Sequence, residues 1–182
     1  MIYNQAERTL ETDRLRLRLF KPSDATAVSS FCNNYNIYKS TLTLPYPYPL
    51  ECAADWIANI EQNFEQDKMY DFAITLKTDG QLVGAIGLSH HPSYRNGEMG
   101  YWIGEAHWGH GYGSEAARAV IEFAFTVKNY HKVYARHFAS NPASGRVMQK
   151  CGMSYEGTLK DQVYKINAFE DMVYYGIVNP VA

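Results

Sequence analysis

The spacing of apolar residues predicts most of the elements in the N-terminal half of the chain. Leu15, Leu17 and Leu19 alternate with charged residues, which is the two-residue period of a half-buried strand. Helical spacing, proline positions and a Thr-Asp-Gly turn at 78–80 indicate the elements that follow. They are a helix over about 22–33, an extended proline-rich loop over 44–50, a helix over about 50–66, and strands over 72–76, 82–88 and 98–103.

A long apolar helix follows a glycine-rich turn. Between about 114 and 128 the polar residues recur every three or four positions and form one narrow stripe, made of Glu115, Arg118, Glu122 and Thr126. This helix is therefore expected to lie mostly buried against a sheet. A strand from Val133, a short helix over about 143–150 and strands near 154–159 and 169–178 complete the chain.

The order of these elements predicts an α/β fold. A strand-rich meander comes first, a strand–helix–strand unit follows, and two strands close the chain, which is typical of a mixed sheet flanked by helices. No repeat or linker divides the sequence. Residues 1–182 are therefore expected to form a single domain, with its core over about 12–178.

Composition limits the binding partners and the cellular location that we expect for the protein. A formal net charge of −2 argues against a general nucleic-acid or anionic-membrane surface, and no apolar stretch approaches the ~20 residues that span a bilayer. The N-terminus lacks the apolar segment of a signal peptide. Cys32, Cys52 and Cys151 are far apart and the histidines form no ligand motif, so we expect reduced thiols, a cytoplasmic protein and no metal.

The glycine-rich turn is the strongest local signal for a binding site. Gly109, Gly111 and Gly113 let the backbone curl tightly and leave room for a ligand. The first amides of the following helix have no intrahelical partner, and the helix dipole favours an anion such as a phosphate there. The turn ends neither in Gly-Lys-Ser/Thr nor in a full GxGxxG spacing, so a tight turn that binds nothing fits this segment equally well.

Five motifs in order resemble one enzyme family. Their order and spacing are similar to those of the GNAT acyltransferases, specifically the RimJ/RimL type of ribosomal-protein alanine N-acetyltransferases, over nearly the whole chain. The motifs are Leu82-Val83-Gly84, Glu98-Met99-Gly100-Tyr101-Trp102, Trp108-Gly109-His110-Gly111-Tyr112-Gly113-Ser114-Glu115-Ala116, Asn141-Pro142-Ala143-Ser144, and Lys150-Cys151-Gly152-Met153 with Glu156-Gly157.

The resemblance implies a single GNAT domain that uses acetyl-CoA. Its mixed, mostly antiparallel sheet would be splayed open at the cofactor and flanked by helices. The resemblance places the CoA pyrophosphate on the turn and the pantetheine arm along one strand and the N-x-x-S motif. The implied cofactor-binding residues are Tyr101, Trp102, Ile103, Gly109, His110, Gly111, Tyr112, Gly113, Ser114, Asn141 and Ser144. Simple helix capping is the alternative explanation for Asn141.

The implied chemistry is direct attack of an amine on the thioester carbonyl. Most of a primary amine is protonated near neutral pH, so a base is useful. Glu98 is the best candidate, because histone-type members of the superfamily carry their catalytic Glu at the matching strand position. An exposed strand carboxylate without a role is the alternative. Glu105 and His107 are weaker candidates.

The general acid departs from the usual pattern. Many GNAT enzymes have a tyrosine seven residues after the Asn, where it protonates the departing thiolate. That position is Met148 here, which has no proton to donate. Ser144 is the candidate substitute, and unassisted departure of the thiolate is the alternative.

The acceptor is the least predictable part of the function. In this fold the first helices and the loop between them line the acceptor site, which predicts an aromatic wall of Tyr35, Tyr46 and Tyr48. Such a wall suits a protein N-terminus or a small amine, and a plain proline-rich connector explains the loop equally well. The alternative function is a non-catalytic GNAT-fold module that binds or senses CoA thioesters. Both a monomer and a homodimer are compatible with the sequence.

Overall fold

Nine strands form one sheet in the computed structural model, which describes residues 1–181. The strand order is β1-β2-β3-β4-β5-β6-β7-β9-β8. The strands are β1 Ile2–Asn4, β2 Thr9–Glu11, β3 Leu15–Arg18, β4 Met69–Leu76, β5 Leu82–Ser89, β6 Asn96–Ile103, β7 Lys132–Phe138, β8 Ser154–Lys165 and β9 Ala168–Val178. The predicted α/β class and mixed, largely antiparallel sheet are confirmed.

Six α-helices flank the sheet. They are α1 Ala25–Cys32, α2 Tyr35–Ser40, α3 Leu50–Ala58, α4 Ile60–Glu65, α5 Tyr112–Thr126 and α6 Pro142–Lys150. The helix predicted over 50–66 is two helices that meet at Asn59. The sequence did not predict α2 or the first two strands, since each is only three to six residues long.

The two faces of the sheet bury different helices. The buried side of α5 packs with apolar residues such as Phe72, Ile86 and Met99 in the larger core cluster. On the opposite face α1 and α3 pack with Ala73 and Ala85 in a smaller cluster. We call this second face the acceptor face, because it lies on the side of the first helices. Among residues 1–181, no helix is long and apolar enough to cross a membrane.

The sheet opens between β6 and β7. These two strands are parallel, with α5 in the connection between them, and they pair only from Asn96 to Glu98 on β6. Beyond Glu98, β6 continues for five residues beside β5, while β7 pairs only with β9. One backbone edge of β6 therefore faces a gap just before the glycine-rich turn.

A partly exposed ion pair between Arg14 and Glu115 fixes the start of α5 to the N-terminal strands. The Glu115 carboxylate accepts hydrogen bonds from Thr12 Oγ1 at 2.6 Å, Arg14 N at 2.9 Å and Arg14 Nε at 2.7 Å. Burial by itself raises the pKa of Glu115, but these hydrogen bonds and the Arg14 charge outweigh it and lower that pKa. The first turn of α5 is thus held by contacts from the turn between β2 and β3.

Two glycines on β6 differ in how much room surrounds them. A Cβ on Gly97 would lie 2.0 Å from the Ser89 carbonyl oxygen and 2.7 Å from the Tyr130 ring. A Cβ on Gly100 would meet no atom within 4 Å. The first glycine is required by close packing, whereas the second leaves open space on the acceptor face.

Gly97→Ala is expected to destabilise the fold by about 1–3 kcal/mol, because backbone atoms must move to admit the methyl group. Gly100→Ala is the matched control on the same strand and should change the unfolding free energy by no more than about 0.5 kcal/mol. Urea unfolding followed by circular dichroism measures both. Equal stability of the two variants would contradict the packing assigned to Gly97.

Glu115→Gln is expected to lower stability at pH 7 by about 1 kcal/mol, because a charged acceptor of three hydrogen bonds is replaced by a neutral amide. Since the folded-state pKa of Glu115 is lowered, its contribution is present above its ordinary pKa of 4.5 and is lost as the pH falls below it. Urea unfolding at pH 7 and near pH 4 should therefore show the difference shrinking in acid. A difference that stays constant would show that the carboxylate charge is not involved.

Candidate acetyl-transfer site

The glycine-rich turn forms an open backbone cradle at the start of α5. Gly109 and Gly111 have φ values of 80° and 81°, in the left-handed region that favours glycine. A Cβ on Gly109 would meet nothing within 4 Å, and α5 begins at Tyr112 directly after the turn. The first backbone amides of α5 lie beside this open turn, and the first amides of a helix have no carbonyl partner within the helix.

Side chains around the turn hold it in place. Arg14 Nη1 donates to the His110 carbonyl oxygen at 3.0 Å, and its guanidinium lies 4.9 Å from the centre of the Tyr112 ring. The His110 and Tyr112 rings stack at 5.5 Å. Trp108 Nε1 donates to the Ile103 carbonyl oxygen at 2.7 Å, which ties the turn to the end of β6. The sequence gives no local signal for this role of Arg14, because Arg14 and His110 are 96 residues apart.

The predicted pantetheine contacts lie on the two sides of the gap. Tyr101, Trp102 and Ile103 are on the part of β6 that has no β7 partner, and Asn141 is the N-cap residue of α6. The Asn141 side chain makes no capping hydrogen bond. Capping therefore does not account for this asparagine, and its amide is available to a ligand.

Two hydroxyl groups meet across the gap. Tyr101 Oη lies 2.8 Å from Ser144 Oγ and also donates to the Ser144 carbonyl oxygen at 3.0 Å. Burial raises the pKa of Tyr101 above its ordinary value, so this hydroxyl keeps its proton. Met148 lies in the core, only 1% exposed. The sequence identified Ser144 but not its tyrosine partner, which only the fold brings alongside.

Glu98 lies at the point where β6 and β7 separate. Its Oε1 accepts a hydrogen bond from Arg136 Nε at 2.7 Å, and Arg136 also reaches the Tyr174 hydroxyl at 3.4 Å. Burial lowers the pKa of Arg136, but the bond with Glu98 outweighs it, so the pKa is raised and the guanidinium stays charged. Glu98 is thus one half of an ion pair on the acceptor face.

The predicted aromatic wall divides into exposed and buried residues. Tyr35 and Tyr46 are 49% and 47% exposed, and their rings lie 5.7 Å apart in a cluster with Tyr38. Tyr48 is only 4% exposed and packs in the core beside α1, where burial raises its pKa to about 12. The structure therefore leaves Tyr35 and Tyr46 exposed on the surface, whereas Tyr48 is part of the core.

The two weaker base candidates have other contacts. The Glu105 carboxylate accepts hydrogen bonds from the side-chain amides of Asn34 and Asn36, at 2.5 Å and 2.9 Å. These bonds join the start of α2, which carries Tyr35, to the end of β6. His107 packs its ring 5.9 Å from Phe31. Glu105 and His107 thus link the segment between β6 and the glycine-rich turn to helices α2 and α1.

This region also contains a buried carboxylate, Asp71, that the sequence motifs do not indicate. Asp71 lies on β4, 8% exposed, on the same face as Ala73 and Ala85. Burial raises its pKa to about 7. A single acidic residue within the apolar run of β4 was the available signal. Among residues 1–181, no group of three or more His, Cys, Asp or Glu residues is placed to hold a metal ion.

Comparison with known proteins gives the family of the chain. The family described as "Acetyltransferase (GNAT) domain" matches residues 14–154. The uncharacterized N-acetyltransferase YnaD of Bacillus subtilis (strain 168) is 30% identical over 169 residues, which cover 93% of this chain and 96% of YnaD. The spermidine N(1)-acetyltransferase of Vibrio cholerae serotype O1 is 24% identical over 160 residues, which cover 87% of this chain and 90% of that protein.

Solved structures show the same fold. A GNAT-family acetyltransferase from Bacillus anthracis superposes with a TM-score of 0.82 at 26% identity, covering 94% of this chain and 98% of that chain. The ribosomal-protein acetyltransferase RimL, solved in complex with coenzyme A, has a TM-score of 0.87 at 17% identity, covering 96% and 99%. The second likeness shows the fold alone. The named relatives are N-acetyltransferases, which does not favour a non-catalytic module, and the chain belongs to the GNAT acetyltransferase family and is an acyltransferase.

Proposed function

We propose that the protein moves the acetyl group of acetyl-CoA to a primary amine by direct attack of the amine on the thioester. The observation that carries this proposal is the unpaired edge of β6 beside the open cradle at the start of α5. An extended arm with amide groups suits a free strand edge, and a pyrophosphate suits a helix N-terminus. Both features lie on one continuous path from Gly100 to Ser114.

The residues fit acetyl-CoA along that path. The backbone from Gly109 to Ser114 would hold the pyrophosphate, and the free edge over Tyr101, Trp102 and Ile103 would pair with the pantetheine arm. The side-chain amide of Asn141, which makes no capping hydrogen bond to α6, would bind the arm from the opposite side of the gap. When bound, acetyl-CoA supplies the activated acetyl group and the thiol leaving group.

Ser144 is the proposed proton donor to the leaving thiolate. Its hydroxyl lies 2.8 Å from the Tyr101 hydroxyl, which keeps its own proton because it is buried. The Ser144 hydroxyl itself is therefore the proposed source of the proton, even though Met148 replaces the usual tyrosine, and Ser144 regains a proton from solvent after the thiol leaves. In the overall transfer, the carbon–sulfur bond breaks, a carbon–nitrogen bond forms, and a proton moves from nitrogen to sulfur.

Glu98 is the proposed acceptor of the proton from the attacking amine. It lies where β6 and β7 separate, and Arg136 holds its carboxylate at 2.7 Å in a fixed orientation. The other carboxylate oxygen is left to receive a proton from the amine, directly or through a water molecule.

The proposed acceptor is a protein N-terminus or a small-molecule amine, bound between the two separated strands and the exposed rings of Tyr35 and Tyr46. RimL is named for a protein substrate and another relative for spermidine, so both classes remain within the proposal. We place the chain near the RimJ/RimL type on its motifs. We also propose a cytoplasmic monomer or homodimer, in keeping with its three free cysteines.

The proposal is tested by thiol release from acetyl-CoA with a panel of amines. The panel holds peptides with different N-termini, free amino acids and their amides, polyamines and aminoglycosides. Turnover with one class would establish the reaction and its acceptor. Absence both of turnover and of any thermal stabilisation by acetyl-CoA would overturn the proposal.

Asn141→Ala is expected to weaken acetyl-CoA binding by about 1–2 kcal/mol, since one buried hydrogen bond is lost. Isothermal titration calorimetry with acetyl-CoA measures the change. The protein should unfold at nearly the wild-type temperature, because the Asn141 side chain does not cap α6. Unchanged affinity would remove Asn141 from the binding site.

Glu98→Gln is expected to lower kcat by about 10²–10⁴-fold at neutral pH, because a positioned proton acceptor is lost. The loss should shrink as the pH rises and more of the amine becomes neutral in solution. Acetyl-CoA affinity serves as the control and should not change. A variant with wild-type kcat and pH profile would show that Glu98 is not the base.

A further inference from the structure

Asp71 is a carboxylate without a partner in the part of the chain that the structure describes. It is 8% exposed, and burial is the sole cause of its raised pKa of about 7, with no contribution from a hydrogen bond or a neighbouring charge. A buried anion without a donor or cation is costly. By contrast, Glu98 and Glu115 are paired with Arg136 and Arg14. Among these three, only Asp71 lacks a counter-charge.

The Asp71 carboxylate leans over the neighbouring strand. Its Oδ1 lies only 2.4 Å from the position that a Cβ on Gly87 would occupy, so the carboxylate covers this glycine. Gly87 pairs with Asp71 on one side and with Gly100 on the other. Since a Cβ on Gly100 would meet nothing within 4 Å, the space above Gly100 is open. We call Gly87 and Gly100 the glycine floor.

The glycine floor leads from the carboxylate to the gap in the sheet. Gly100 is two residues beyond Glu98, where pairing between β6 and β7 ends. Neighbouring strands lie about 4.8 Å apart, so the Asp71 carboxylate over Gly87 is roughly one strand spacing from the space over Gly100. A small group on the floor can contact the carboxylate while it faces the gap.

We propose that Asp71 binds the protonated primary amine of the acceptor, which lies on the glycine floor over Gly100. This inference rests on the proposed amine acetylation and names the group that selects its substrate. An ammonium supplies the positive charge and the hydrogen-bond donors that the carboxylate lacks. The open space over Gly100 admits the amine and its first carbon, whereas Gly87 is covered by the Asp71 carboxylate and by Met69 Cε, 2.8 Å from the position of a Cβ there.

The negative charge of Asp71 predicts which amines are substrates. A carboxylate attached next to the amine would be repelled by the Asp71 carboxylate, which is 8% exposed. The acceptor is therefore an amine without a neighbouring carboxylate, such as a peptide N-terminus, an amino-acid amide or an alkyl amine. Free α-amino acids are poor substrates for the same reason.

The test compares wild type with Asp71→Asn, which keeps the shape and removes the charge. Assays at pH 8 keep the carboxylate mostly ionised, since its pKa is about 7. With the best acceptor from the panel, the amine KM of the variant should rise about 10- to 100-fold, as for loss of a charged hydrogen bond. The KM for acetyl-CoA and the acetyl-CoA-induced thermal shift should not change. Asp55→Asn, an exposed substitution with the same charge change, should match wild type.

Gly100→Ala provides a second variant whose methyl group has free space in the fold. It should also raise the amine KM while keeping the wild-type melting temperature. Wild type should acetylate L-alaninamide in preference to L-alanine, and Asp71→Asn should narrow that preference. Wild-type turnover combined with an unchanged amine KM and preference in Asp71→Asn would overturn the role of Asp71 alone.

A different outcome separates this inference from the proposed function. If wild type acetylates no amine, the proposed function fails, and calorimetry of L-alaninamide with CoA-saturated protein decides the role of Asp71. Binding that is at least tenfold weaker in Asp71→Asn would support the ammonium site. No binding, or equal binding by both proteins, would overturn it.

Discussion

The site depends on the short parallel pairing between β6 and β7. The two strands share a ladder only from Asn96 to Glu98, and α5 occupies the connection between them. Parallel strands need such a crossover, and the crossover brings the start of α5 to the end of the free β6 edge. One geometric fact therefore produces both the strand edge and the helix N-terminus of the proposed donor site.

Three carboxylates near this opening have different surroundings, and each is therefore suited to a different role. Glu115 is fixed by Thr12 and Arg14 and holds the turn. Glu98 is oriented by Arg136 on the acceptor face. Asp71 is buried without a counter-charge over Gly87. Their environments, more than their residue type, assign them to structure, to proton transfer and to recognition of a cation.

The acceptor side is assembled from distant parts of the chain. The Glu105 carboxylate, two residues beyond β6, accepts hydrogen bonds from Asn34 and Asn36, so helix α2 is linked to the strand of the proposed donor site. Lys165 near the end of β8 lies 4.4 Å from the ring of Tyr38 and donates to the Thr41 carbonyl oxygen. Helix α2, which carries the exposed Tyr35, is thus held at both ends.

The sequence by itself determined the main strands, the buried α5, the glycine turn and the family motifs. The spacing of apolar residues, the positions of proline and glycine, and short motifs are all local properties of the chain. It missed α2 and the first two strands, which are too short to show a period, and it placed Tyr48 on the acceptor wall although this side chain is buried. Only the tertiary structure decided that Tyr101 meets Ser144, that Arg14 holds the turn and that Asp71 faces a glycine floor. These contacts join residues 16 to 96 positions apart, so their existence depends on strand order and register, which local patterns do not specify.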